Sequence, residues 1–235
     1  MAEFDYIKEN YEKLVYEVGE IAKRSGTKIP KIVAVTKSGS DEELLALVKS
    51  GATAIGENRP GELRRRYGLL KENSLFPEMH EIGTLQSNKV KLVADIASLI
   101  HSLSTESTLK EISKRASALG IKIPVLIEIN SAEEPQKDGV LPKDAREFLE
   151  KCLATEGIAV KGLMTMGPNL ESSEDLRPYF RRTRRLFDEL SDEYGFGEEP
   201  ILSMGMSDSF GVAIEEGSTL IRVGRRLFKK NQEEF

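Results

Sequence analysis

Lys37 closes the apolar run Lys31-Ile-Val-Ala-Val-Thr36 and is followed at once by Ser38-Gly39-Ser40. A lysine carried out of a buried strand into a turn can be held partly desolvated, and a neutral amine condenses with a carbonyl compound to a Schiff base. Near the other end of the chain stand Ser203-Met-Gly-Met-Ser-Asp208 and Ser218-Thr-Leu-Ile-Arg-Val-Gly224. They have the make-up of two halves of an anion cradle. Free amides and the Ser207 hydroxyl would bond a phosphate, and the missing side chain of Gly224 would let the backbone approach it. An amine and a phosphate cradle together suit a phosphorylated carbonyl compound.

The elements that must position these residues alternate along the chain. Eight β-rich runs, at 31–36, 53–56, 80–84, 99–103, 123–129, 159–165, 200–204 and 219–223, are separated by amphipathic stretches. The stretches lie near 41–50, 60–72, 86–95, 106–119, 142–155, 173–194 and 208–216, with one more closing the chain from about 225. Strands joined by helical crossovers are parallel, and eight such pairs predict an α/β fold, a (β/α)8 TIM barrel. A doubly wound open sheet is the competing architecture. An extra helix precedes the first strand, with Ile7, Tyr11, Leu14, Val15, Val18, Ile21 and Ala22 forming one apolar stripe. Ser40 with Glu43 reads as a capping box, Pro142 as a helix start, and Gly51, Gly120 and Gly157 as helix ends. No linker divides the 235 residues, so one domain is expected.

Composition narrows the function. The net charge of -5 argues against a general nucleic-acid binder. Two basic clusters, Arg64-Arg65-Arg66 and Arg181-Arg182-Thr183-Arg184-Arg185, share their helical runs with acids and read as solvated faces. The weaker alternative is a local anion or RNA contact. No apolar run approaches the roughly 20 residues of a membrane span, and Met1-Ala-Glu-Phe-Asp5 lacks signal-peptide features, which predicts a cytoplasmic protein. The single cysteine, Cys152, falls in an amphipathic stretch and is expected to be buried and inert; with only His80 and His101, no zinc site is expected. No second domain or long apolar surface run is visible, so the expected state is a monomer.

Seven segments carry a resemblance. AVTK (34–37), GEN (56–58), IGTLQSNK (82–89), EINSAEEPQKDG (128–139), GLMTM (162–166), LSMGMSDSF (202–210) and AIEEGSTLIRVG (213–224) resemble, in order and spacing, the pyridoxal phosphate homeostasis proteins. The resemblance implies a barrel similar to the N-terminal domain of alanine racemase, with pyridoxal 5'-phosphate (PLP) joined to Lys37 as a Schiff base. It puts the phosphate against Ser207, Gly224 and Arg225, and Arg222 opposite the pyridine nitrogen. Asn58 is implied near the lysine and Met204 against the ring; core packing is the other reading of Met204, a simple turn that of Asn58. PLP-dependent apoenzymes are the partners implied.

An arginine at the ring bears on turnover. PLP enzymes that remove an α-proton use the ring as an electron sink, which works best with a protonated pyridine nitrogen. Arginine only donates hydrogen bonds, so it favours the unprotonated ring. Racemisation also needs an acid-base group on each face of the substrate. Tyr6, Tyr11, Tyr16, Tyr67, Tyr179 and Tyr194 all fall in helical runs, away from the strand ends. A carrier of PLP with little or no turnover is therefore expected.

Some positions depart from the family pattern: Arg225 and Arg226 after Gly224, Glu81, Thr84, Pro60-Gly61 and Asp138. Arg225 either strengthens the phosphate site or fills it. In the second case, with Glu81 and Asp138 adding negative charge, the barrel is a divergent or engineered member with a damaged site. Two rivals stay open. One is a Schiff-base lysine enzyme, aldolase-like or a weak racemase, with Glu57 or Glu81 carrying protons; the other is a regulatory protein acting through the arginine-rich helix.

Overall fold

The computed structural model describes residues 4–230. Eight strands close into a barrel in sequence order, every neighbouring pair parallel: β1 (Lys31–Val35), β2 (Ala54–Glu57), β3 (Glu78–Glu81), β4 (Leu99–Leu103), β5 (Ile123–Glu128), β6 (Ile158–Met164), β7 (Ile201–Ser203) and β8 (Leu220–Val223). β1 pairs with β8 in register Lys31 to Leu220, which excludes the open sheet. The helices are α1 (Asp5–Ser25), α2 (Asp41–Lys49), α3 (Pro60–Glu72), α4 (Glu106–Leu119), α5 (Ala145–Leu153), α6 (Arg177–Tyr194) and α7 (Phe210–Glu215).

Side chains alternate across each strand, so successive residues serve two cores. Val33, Ala54, Leu99, Leu126, Met164 and Leu220 pack together inside the barrel. Their neighbours Ile55, Ile100, Val125, Ile127, Leu163 and Leu202 face outward and are buried under the helices. Complete burial of one such side chain stabilises the fold by about 1.5–3 kcal/mol.

Local signals explain the helix limits. Ser40 accepts from the Glu43 amide while Glu43 reaches back to the Ser40 amide, a capping box whose loss costs about 1 kcal/mol. α1 lies outside the barrel against α2 and α7, with Ile7, Leu14, Val18 and Ala22 buried beside Leu47, Phe210 and Ile214. Val15 lies off this stripe and is 44% exposed, because it is one position past Leu14 on a 3.6-residue helix.

Three expectations change. The stretch 86–95 is one short 3-10 helix, Ser87–Leu92, which tucks Val90 under α3 and α4. Residues 225–230 form turns rather than a helix, and the rest of that expected element lies outside the described residues. The first arginine cluster is only partly a solvated face. Arg64 pairs with Asp95 and Arg65 with Asp41 near solvent, but Arg66 is buried against Glu57 with Nε 3.1 Å from Oε1. In the second cluster Arg181, Arg182 and Arg184 pair with Glu216, Glu133 and Asp188.

Candidate functional site

The C-terminal ends of the strands surround a cleft of about 830 Å³. Lys37, Asn58, Ser207, Arg222, Gly224 and Arg225 all line it, brought together from the ends of β1, β2, β7 and β8. Lys37 stands in the turn two residues past β1 and is exposed, without a hydrogen bond or ion pair among the described residues. The desolvated setting expected for it is absent: the strand is buried, but the turn carries the lysine into the open mouth.

Ser207 and Gly224 form one wall. The Gly224 amide donates to Ser207 Oγ over 3.3 Å. Among the described residues, the amides of Ser207, Asp208 and Arg225 donate to no backbone carbonyl. Gly205, at φ +93°, folds this loop back so tightly that a Cβ would lie 2.6 Å from the Ala213 Cβ. At Gly224 a Cβ would come 2.9 Å from the Val35 carbonyl oxygen, so the missing side chain lets the ends of β8 and β1 meet.

Arg222 occupies the floor. Nη2 donates to the Thr165 carbonyl at 3.0 Å and Nη1 to Ser203 Oγ. Burial lowers its guanidinium to about 10, with Glu128 opposing, so it stays cationic at neutral pH. Glu128 also faces the cleft, and burial pushes its carboxyl up to about 7, Asp138 adding to the rise and Arg222 resisting it.

Arg225 does not fill the cradle. Its side chain is 68% exposed and pairs with Asp208 across the rim. Asp138 is likewise no obstacle, for it accepts from Thr84 Oγ1 at 2.8 Å, so two of the unusual positions satisfy each other. Glu57 and Glu81 do not reach the cleft. They lie on the outward face of β2 and β3, where Glu57 accepts from Thr36 Oγ1 at 2.5 Å and Glu81 from the Gly83 amide at 3.1 Å. A proton-carrying role for either is thereby corrected.

Met204 is also corrected. It is fully buried in the outer core, because Ser203 points into the barrel and the next residue must point away. Met206, two residues on, lines the cleft with Met166. Sequence reasoning passed over Glu128, Met166 and Met206, although all three lie in or beside quoted motifs. With Leu126 seen to face inward, a period-two count leads directly to Glu128.

The donor set fits a phosphorylated pyridine aldehyde. Hydroxyl and amide donors suit the phosphate, a donor-only cation suits an unprotonated ring nitrogen, and a primary amine suits the aldehyde. The fold and the wall after β7 and β8 define the class, the alanine racemase N-terminal domain, whose family model matches residues 10–232. Alanine racemase from Corynebacterium glutamicum shares that fold at 17% identity and a TM-score of 0.71, covering 98% of this chain and 62% of its own. Nearer likenesses are more particular. The pyridoxal phosphate homeostasis protein of Aquifex aeolicus is 44% identical over 203 residues, 86% of this chain and 88% of that one. That of Helicobacter pylori is 35% identical over 204 residues, 86% of this chain and 88% of its own. PipY of Synechococcus elongatus, solved with PLP bound, superposes with a TM-score of 0.80 at 25% identity, covering 95% of this chain and 100% of that one. The chain belongs to the pyridoxal phosphate homeostasis protein family.

Proposed function

We propose that this chain binds PLP as a cofactor reservoir, with little or no turnover of its own. The observation that carries the reading is the single cleft that gathers Lys37, Asn58, Ser207, Arg222, Gly224 and Arg225 from four strand ends. Ser207 and the amides of Gly224 and Arg225 hold the phosphate, and Lys37 supplies the amine for the aldehyde. Arg222 meets the ring nitrogen, while Asn58 and Met206 border the ring. PLP, when bound to a suitable enzyme, supplies an electron sink for carbanion chemistry. Here Arg222 only donates hydrogen bonds, cannot accept one from a protonated ring nitrogen, and works against that sink.

The proposed setting is a cytoplasmic, monomeric, one-domain carrier that hands PLP to PLP-dependent apoenzymes. Consistent with that setting, no helix among the described residues is long and apolar enough to cross a membrane. Titration of PLP-free protein should give a yellow, visible-absorbing species that borohydride fixes onto Lys37, located by peptide mass. Lys37→Ala should remove the colour. A wild type that stays colourless with PLP, or fixation on another lysine, refutes the reading. Mixing the loaded protein with a PLP-free aminotransferase tests the transfer.

A further inference from the structure

A chain of side chains runs down the inside of the barrel from the cleft floor to the opposite mouth. Arg222 Nη1 donates to Ser203 Oγ, and Ser203 Oγ lies 3.1 Å from His101 Nδ1. His101 Nε2 lies 2.9 Å from His80 Nδ1, and His80 Nε2 lies 3.0 Å from Glu78 Oε2. Four strands, β8, β7, β4 and β3, each contribute to it. Arg222, Ser203, His101 and His80 are all buried, whereas Glu78 opens into a recess of about 540 Å³ at the N-terminal ends of the strands. Lys31 and Lys161 line the same recess, and Lys31 pairs with Glu78.

The direction of every hydrogen bond in the chain is determined. Burial holds both imidazoles below their ordinary range, so each ring carries one N–H. Glu78 is held as a carboxylate, down to about 2, chiefly by its bond to His80, and a carboxylate only accepts. His80 must then donate from Nε2 and accept at Nδ1, which makes His101 donate from Nε2 and accept at Nδ1 in turn. Ser203 must give its hydroxyl proton to His101, leaving its oxygen lone pairs for the guanidinium. An acceptor-only group at one end and a donor-only group at the other leave no second arrangement that satisfies every member.

We propose that Glu78, His80, His101 and Ser203 form a positioning relay, by which a carboxylate at the far mouth of the barrel fixes the orientation of Arg222 toward the cofactor ring. The role of Arg222 at the ring rests on the function proposed above, whereas the relay itself does not. It makes the two histidines part of the cofactor site. The Lys31 amine and the recess give the relay a solvent-facing end.

Nitrogen NMR on PLP-free protein tests the relay directly. Both histidines should be protonated at Nε2 alone in the wild type, and the two terminal nitrogens of Arg222 should give separate signals. Glu78→Gln, at a half-exposed position, should give both tautomers of each ring, because an amide can donate as well as accept. Ser203→Ala should merge the Arg222 signals, and Ser203→Thr should keep them apart. Protonation at Nδ1 in the wild type, or histidine signals unchanged in Glu78→Gln, overturns the relay. With PLP, Ser203→Ala should bind roughly tenfold more weakly, as expected for one bond to a charged group, and Ser203→Thr should restore it. PLP affinity in Ser203→Ala within about twofold of wild type overturns the cofactor link, since such a bond is worth more. Failure of the wild type to take up PLP would defeat the cofactor reading, while the nitrogen spectra would still decide the relay.

Discussion

The Gly224 amide donates to the Ser207 hydroxyl oxygen over 3.3 Å, tying the loop after β7 to the end of β8. A phosphate placed there would accept from the Gly224 amide and from the Ser207 hydroxyl, and a charge-assisted bond is worth about 1.5–3 kcal/mol. Ser207→Ala should therefore weaken PLP binding about tenfold or more, measured by titration. Gly224→Ala should instead lose stability by about 1–3 kcal/mol, read by denaturant unfolding, because its Cβ presses on Val35 at the closure of the barrel.

Arg225 and Asp208 pair in solvent, so their bond contributes little to the fold. Its consequence is for the anion. Asp208→Asn should tighten PLP binding by freeing the guanidinium, and Arg225→Thr should loosen it, both effects shrinking in high salt. Tighter binding in Arg225→Thr would show instead that the arginine obstructs the site.

Met204 and Met206 should respond to truncation in opposite ways. Met204→Ala opens a cavity in the outer core and should cost about 2–5 kcal/mol of stability. Met206 is 40% exposed at the cleft, so Met206→Ala should change stability by less than about 0.5 kcal/mol while altering PLP affinity. Unfolding curves and PLP titrations on both variants separate the two roles.

Burial pushes the Glu81 carboxyl up to about 8, with Glu57 adding to the rise and the Gly83 amide opposing it, against 4.5 for an ordinary glutamate. The folded chain thus keeps a proton that the unfolded chain releases. The associated stability is complete below 4.5, fades as pH rises, and is gone above about 8. Wild-type stability should fall across that window by up to about 1.4 kcal/mol per pH unit from this group. Glu81→Gln should flatten the slope. A residual slope of the same sign should remain from Glu57 and Glu128, whose carboxyls are also raised by burial.

Cys152 is completely buried in α5, and burial pushes its thiol up to about 12. Thiol reagents need the thiolate and a path to it. The native protein should resist labelling at neutral pH, and modification should track global unfolding in denaturant.

What the sequence determined by itself was whatever local chemistry or spacing dictates. Alternating apolar runs and amphipathic stretches predicted all eight strands within a few residues, and Ser40 with Glu43 marked the start of α2. Lys37, Ser207 and Gly224 were legible as a set because strand ends converge in any such barrel. Tertiary structure alone decided what depends on facing and closure. Met204 and Met206 read alike in one motif; alternation past the inward Ser203 sends Met204 into the outer core, and the turn at Gly205, φ +93°, carries Met206 to the cleft instead. Glu57 and Glu81 sit at strand ends yet face the helices, since neighbouring residues on a strand point to opposite sides. The meeting of His80, His101 and Ser203, 21 and 102 residues apart along the chain, exists only because eight parallel strands close on themselves and bring distant inward positions to one axis.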